Sequence, residues 1–407
     1  MVKINPDRLL SDLRTLASFG KYKTGVHRPT YSADDMSARR WFAQRIEEAG
    51  LRAEIDGIGN VYGFNPTKSR LALAGSHLES QNHAGWLDGA LGVVYALEAA
   101  RAISEAPGNA DAGLDVIAFA DEEGHFGSFL GSRSFIGDLT EAEIDSAFNH
   151  SFGTSLRQAL AEAGLAGRSR RVIDASRYRA FLEAHIEQGD ILESSGMKIG
   201  IVTAIVAIWQ YRIVVTGEQN HAGTTTMARR RDAGLALIRL LAAIDRRFPE
   251  VAGPRSVWTT GQIALSPGAK SIIPGQAEAL FQFRDADADV LTRLENELTT
   301  VIREANSAGP CTVTLERISA SRPAPMDANV QDVLESAAEQ YAAGQHVRMP
   351  SGAGHDAQWL APKLPTGMLF VPSIGGISHH WTENTSDEDI VLGAQVFADA
   401  AMRVLRA

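Results

Sequence analysis

Cysteine is nearly missing from this sequence: Cys311 is the one cysteine among 407 residues. An internal disulfide and a thiolate-rich metal site are both excluded, which fits a reducing compartment. Positive charge is also in short supply. Lys and Arg total 39 against 49 Asp and Glu, a formal net charge of -10. That balance argues against nucleic acid and anionic membranes as partners. It leaves an anionic small molecule open, because one local arginine can outweigh the global sign. Long apolar runs are absent too. Nothing approaches the ~18 apolar residues of a membrane helix. The opening MVKINPDRLLSDL carries no apolar core of a signal peptide. The expectation is a soluble, cytoplasmic protein.

What the chain does have is apolar content, 44% of its residues, enough for a large core in about two or three domains. Short apolar runs alternate with helical stretches such as SADDMSARRWFAQRIEEAG, where Ser32 or Asp34 suits the start and Gly50 the end. This alternation predicts an α/β domain, a mixed sheet flanked by helices. The middle differs. YRIVVTGEQNHAG alternates like a half-exposed strand, RRDAGLALIRLLAAIDRRF reads as an amphipathic helix, and EALFQFRDAD and CTVTLERIS are strand-like. An inserted α+β domain over residues 211–320 follows. Residues 1–210 and 321–407 then form one α/β catalytic domain. TGEQNHAG is expected as an edge strand open to pairing.

Four apolar runs end in polar residues with chemical capacity. LALAGSH ends at His77. DVIAFADEE ends in Asp121, Glu122 and Glu123. FLEAHIEQG carries His185 and Glu187. GMLFVPS leads into IGGISHHWTENTS, with His379 and His380. Three adjacent carboxylates at the end of a buried run repel one another and call for water or a cation. In open α/β sheets, ligands gather beyond the carboxyl ends of the strands. If these runs are neighbours, their His, Asp and Glu residues meet in one crevice. Such a set, with no Cys, suits Zn²⁺, Mn²⁺, Co²⁺ or Ni²⁺. One carboxylate of the Glu122–Glu123 pair would then bind metal, and its neighbour would accept a proton from water.

These stretches resemble the di-metal aminoacylase and exopeptidase superfamily, and within it the branch of N-carbamoyl-L-amino-acid hydrolases, allantoate amidohydrolases and β-ureidopropionases. The resemblance runs in order through GSHLES, WLDGALGV, EEG with GSRSF, HIEQGDILE, NHAGTTTMARRRDA, SGAGHDAQ and GISHHWTENTS. It implies two divalent ions, with His77 and His185 holding one, Glu123 and His379 the other, and Asp88 bridging. It implies Glu122 as the general base that also protonates the departing nitrogen. His221, helped by Asn220, would steady the oxyanion, usually from the partner subunit's lid. The same resemblance implies substrate contacts from Gln188, Ser271, Arg284 and the backbone at Gly352 and Gly354. It also implies a homodimer through the inserted lid domain. His355 and Asp356 would brace the loop beside them.

Departures lie at the rim. The usual His-x-Asp is here HLES, so Glu79 stands where Asp orients the metal-binding His77. QNHAGW places His83 and Trp86 in the following loop, Ser271 replaces an Asn, and His380 stands where a small or polar residue is usual. The expected activity is hydrolysis of a linear amide or ureide C–N bond in a small carboxylate-bearing molecule. The departures point to a substrate other than a plain N-carbamoyl amino acid. An N-acyl-amino-acid deacylase or dipeptidase of the same superfamily is the nearest alternative, and His185 speaks against the peptidase side. A non-catalytic amide- or metal-binding homologue is the third reading.

Overall fold

A computed structural model describes residues 2–108, 111–149 and 151–407. The chain divides into two compact units, Met1–Thr203 with Pro325–Ala407, and Ala204–Ala324. The expected insertion, 211–320, lies inside the second unit.

The first unit is built on a mixed sheet. Its centre is four parallel strands in the order Thr366–Val371, Tyr178–Ile186, Arg70–His77 and Ala112–Phe119. Val61–Phe64 and Arg52–Ile55 extend one side antiparallel, and Ile199–Ile205 pairs antiparallel with Thr366–Val371 on the other. The four central strands are those that the sequence ends in polar residues. They are buried almost end to end, because parallel strands are covered on both faces and read as apolar runs rather than as alternation.

Helix Ala90–Glu105 is buried nearly all round. It packs on the Arg70–His77 and Ala112–Phe119 strands and beneath helix Asp387–Arg406, placing Leu91, Val94, Tyr95, Val396 and Phe397 in one core. Ser386 starts the last helix by accepting from the Asp389 N–H, and acidic residues fill its first turn while Arg403 and Arg406 fill its last. This charge order matches the helix dipole. Truncating Phe397, fully buried here, to Ala would cost about 3–5 kcal/mol. The core fixes the sheet, and the sheet fixes where its carboxyl ends point.

The second unit is an antiparallel sheet in the order Val257–Ser266, Gln276–Asp285, Ala207–Thr216, Thr312–Ala320. Helices Ala233–Val251 and Ala288–Ala308 cover one face. Ala277, Ala279, Phe281 and Phe283 alternate inward with outward neighbours, the period of a strand with one wet face. The expected edge stretch, TGEQNHAG, lies outside this sheet apart from Thr216, and its Asn220–His221 forms a two-stranded ribbon. Ala207–Thr216 runs in the middle of the sheet, and Asn220–His221 pairs with Ile272–Ile273. The edges are Val257–Ser266 and Thr312–Ala320. A half-exposed alternation reports a solvated face, and it carries no information about edges. Among the described residues, no helix is long and apolar enough to cross a membrane.

Candidate metal centre

Four chain segments converge at the carboxyl ends of the central strands. His77 is the last residue of its strand and lies opposite Phe119, three residues before Glu122. His185 pairs with Phe370 near the end of the neighbouring strand. Asp88 sits one residue before Gly89, which leads into helix Ala90–Glu105. His379 follows the loop after Thr366–Val371 and has a left-handed φ of 54°.

Asp88 is the hub. Its Oδ1 lies 3.0 Å from His185 Nε2 and 3.8 Å from His77 Nε2. Its Oδ2 lies 3.2 Å from His379 Nε2. His379 Nε2 is in turn 3.6 Å from Glu123 Oε2. Two sets of donors result, His77–Asp88–His185 and Asp88–Glu123–His379, each with its ligand atoms within 4.8 Å of one another and both sharing Asp88. Glu122 lies alongside, with Oε2 3.6 Å from His77 Nε2.

The tautomers fit a cation. His77 Nδ1 lies 3.1 Å from the Glu79 carbonyl oxygen, and His185 Nδ1 lies 2.9 Å from the Ile186 carbonyl oxygen. A carbonyl accepts only, so both Nδ1 atoms carry hydrogen and donate. In a neutral ring, Nε2 then carries a lone pair beside the Asp88 carboxylate, and on His185 that lone pair also accepts from the Gly89 N–H at 3.2 Å. Lone pairs this near a carboxylate favour a proton or a metal ion beside them, and a carbonyl behind the ring is the usual way a ligating imidazole is oriented. The glycines give the same answer. A Cβ on Gly89, whose φ is +64°, would fall 2.4 Å from the His77 ring, and one on Gly85 would fall 1.9 Å from Glu383 Oε1. Both glycines allow the Asp88 loop to approach the donor cluster closely.

Proton affinities follow from burial and crowding. Burial pulls His185 down, but the hydrogen bond and charge of Asp88 outweigh it and hold the imidazole up at about 9. The hydrogen bond to Asp88 likewise raises His379 to about 9 against burial. Glu123 is pushed to about 8 by burial and by the Asp88 charge. Glu122 is driven well above the carboxylate range by burial, then by Glu123, Asp356, Asp88 and Glu79. Such crowding marks a place where positive charge belongs.

Several residues hold this cluster without having stood out in the sequence. Glu383 Oε1 accepts from the Leu87 and Asp88 N–H groups at 3.2 and 3.1 Å. Its Oε2 accepts from the Ser378 hydroxyl at 2.9 Å. Gln81 donates its backbone N–H to Glu123 Oε1 at 3.1 Å and its side-chain amide to the Glu123 carbonyl at 2.9 Å. Glu383 and Ser378 lie within GISHHWTENTS, where a lone acid among small polar residues was the available signal.

The other expected positions fall as follows. Gln188, at a left-handed φ of 59°, donates Nε2 to Asp88 Oδ2 at 3.1 Å. It therefore sits on the shared carboxylate. Gly352 and Gly354 flank the loop before His355, and a Cβ on Gly354 would meet the Phe129 ring at 2.8 Å. His355 packs edge-on against His185, ring centroids 4.6 Å apart, and bonds Ser351 Oγ at 2.8 Å. Glu79 lies beside His77, as expected of the residue in that position. Its carboxylate Oε1 is 3.9 Å from His77 Nδ1. The hydrogen bond to that ring goes to the Glu79 backbone carbonyl, and the longer side chain reaches past it to Arg39 and to the Glu122 N–H. Trp86 donates to Asn384 Oδ1 at 3.3 Å, and His380 packs tilted against Trp381 with centroids 3.9 Å apart.

In the second unit, His221 is exposed. Its Nδ1 accepts from the Gly223 and Thr224 N–H groups at 3.0 and 3.1 Å, which places the proton on Nε2 and makes that atom an outward donor. Asn220 Oδ1 accepts from the His221 N–H at 2.8 Å, and the Ser271 carbonyl accepts from Ala222 at 3.0 Å. Arg284 faces Ile208 and Val257 across the sheet, and burial lowers its pKa. Neighbouring Asp285 accepts from Ser256 and from the Asp287 N–H.

Comparison with known proteins gives one consistent picture. The model of peptidase family M20/M25/M40 matches residues 72–403. The N-carbamoyl-L-amino-acid amidohydrolase of Paenarthrobacter aurescens is 33% identical, covering 100% of this chain and 98% of that protein. The allantoate amidohydrolase of Escherichia coli K12 is 32% identical, covering 94% of each. The crystal structure of an amidase of the hydantoinase/carbamoylase family from Burkholderia phymatum superposes with a TM-score of 0.94 at 47% identity, over 100% of this chain and 99% of that one.

Proposed function

The chain belongs to the peptidase M20/M25/M40 family, and from that premise we propose that it hydrolyses the C–N bond of a small carboxylate-bearing linear amide or ureide. It is a metal-dependent amidohydrolase. N-carbamoyl amino acids and allantoate-like ureides are the substrate classes its relatives' names supply. The observation that carries the reading is Asp88 placed between two donor groups, with Glu122 3.6 Å from one of their imidazoles.

The residues divide the work. His77 and His185 would hold one divalent ion and Glu123 and His379 the other, with Asp88 available to both. Bound there, two ions of Zn, Mn, Co or Ni would supply Lewis-acid polarisation of the carbonyl and acidify water near neutral pH. Glu122 takes the proton from the attacking water and returns it to the departing nitrogen. Its carboxylate is well suited to holding a proton, since burial and four neighbouring carboxylates raise its proton affinity. Gln188 fixes Asp88 through Oδ2. His221 presents Nε2–H outward, the donor a tetrahedral oxyanion needs, and Asn220 secures its backbone. Arg284 suits the substrate carboxylate, since a planar guanidinium binds it through two parallel hydrogen bonds. Ser271 and the Gly352 and Gly354 backbone complete the substrate contacts. The second unit acts as lid and dimerisation domain of a cytoplasmic homodimer, with His221 serving the partner's centre.

The test is metal-reconstituted enzyme assayed against N-carbamoyl amino acids, allantoate, and N-formyl and N-acetyl amino acids, with ammonia and free amine both measured. Ammonia release from a ureido substrate supports the proposal. Turnover of acyl amides alone, with no ammonia, moves the enzyme to the deacylases, and no turnover on any member contradicts it.

A further inference from the structure

The strand that ends at His77 continues into Leu78 and Glu79, and Glu79 is completely buried. A buried carboxylate needs charged or hydrogen-bonding partners for both oxygens. One oxygen, Oε2, accepts from Arg39 at 2.6 Å. The other, Oε1, accepts from the Glu122 backbone N–H at 2.7 Å. Burial pushes the Glu79 carboxyl up, and the Arg39 guanidinium overturns that and keeps it below the usual range. Arg39 is itself buried and bonded on several sides. Its Nε bonds Asp35 at 2.9 Å, and one terminal nitrogen donates to the Gly59 and Phe119 carbonyls at 2.9 and 3.1 Å.

The segment it grips needs gripping. Asp121 has a left-handed φ of 58°, a conformation that costs a non-glycine residue about 1 kcal/mol or more and persists only when its surroundings hold it. The Asp121 carboxylate accepts from the His125 and Gly127 N–H groups, both at 2.9 Å, and from the Thr30 hydroxyl at 2.8 Å. That fixes the far side of the turn. On the near side, the Glu122 N–H is held by Glu79.

We infer that Glu79 is a positioning residue for Glu122: its carboxylate, anchored on Arg39, clamps the Glu122 backbone and sets where the general base points. This rests on the reading of Glu122 as that base. The same residue fixes His77 through its backbone carbonyl, while the hydrogen bonds of its side chain go to Arg39 and the Glu122 N–H. An aspartate, one methylene shorter, cannot span from Arg39 to the Glu122 N–H without backbone movement.

The experiment introduces Glu79→Asp and Glu79→Gln, each alone and combined with Glu122→Gln, into the metal-loaded enzyme. The readouts are kcat, KM and metal content. Each single Glu79 variant is expected to lower kcat by about 10–100-fold, with KM and metal content within about twofold. In the Glu122→Gln background the same substitutions are expected to change residual kcat by less than about twofold, because residues acting as one unit are not additive. An equal loss in both backgrounds, or metal loss that tracks the activity loss, overturns the inference while leaving the base reading standing. Full activity in Glu122→Gln alone overturns the base reading and this inference with it. Where Glu79→Gln fails to fold because Arg39 loses a partner, Glu79→Asp keeps the charge and gives the same two results.

Discussion

The metal centre and the His221 turn put histidines to use in opposite environments. His77 and His185 are buried, and their second nitrogens are tied to backbone carbonyls. His221 is exposed and its Nδ1 accepts from two backbone N–H groups. A donor behind the ring leaves Nε2 protonated, whereas an acceptor behind it leaves Nε2 as a lone pair. The first arrangement suits stabilising negative charge, and the second suits binding a cation. One residue type is thus suited to two different jobs by what stands behind its ring. The regions also differ in what they risk. A change in the buried cluster leaves uncompensated charge inside the protein, while a change at His221 alters an exposed side chain.

This contrast orders the expected effects. Asp88→Ala removes the shared carboxylate and should abolish both metal uptake and turnover, as measured by metal analysis and ammonia release. If Asp88→Ala keeps stoichiometric metal, the two regions differ less than stated. Glu122→Gln should lower kcat by about 10²–10⁴-fold while metal content stays at the parent's value. His221→Ala should lower kcat by about 10²–10³-fold, the scale of losing one oxyanion donor, with metal content and thermal midpoint unchanged. A His221→Ala chain that loses metal would erase the distinction drawn above.

A pH measurement sharpens it further. His185 and His379 are held protonated up to about 9, and Glu123 up to about 8. Metal requires all three deprotonated. Uptake by stripped protein at pH 7 should therefore release protons, and apparent metal affinity should fall as pH falls below these values, by about tenfold or more per unit. Calorimetric titration in buffers of different ionisation enthalpy reads the proton count directly. The smallest effect belongs to the exposed ion pair Arg14–Asp387. Arg14→Ala should change stability by about 1 kcal/mol or less, as read by denaturant midpoint.

How much of this was legible beforehand depended on what the sequence spells out locally. The four parallel strands are readable because buried strands are continuous apolar runs; three reach a His or an acid at or just past their ends, and the fourth leads into the loop that carries His379. Asp88 and Gln188 were found through motif resemblance, and the structure adds that they bond each other. The partners of the backbone were not readable. Glu383 acts on the Leu87 and Asp88 N–H groups from nearly three hundred residues away, and sequence carries no mark of such a long-range bond. Glu79 was expected to do an aspartate's work. One extra methylene carries its carboxylate beyond the His77 ring to the Glu122 N–H, and side-chain reach is a property of three-dimensional placement. TGEQNHAG is expected as an edge strand, and its Asn220–His221 pairs with Ile272–Ile273 in a two-stranded ribbon outside the four-stranded sheet, a long-range partner that local alternation does not name.

The most direct measurement is a crystal structure of the metal-loaded protein with anomalous scattering recorded at the metal's absorption edge. Two anomalous peaks flanking Asp88, one bonded to His77 and His185 and the other to Glu123 and His379, are the predicted result. Peaks elsewhere, or full occupancy of a single site that leaves His379 and Glu123 without metal, would contradict it.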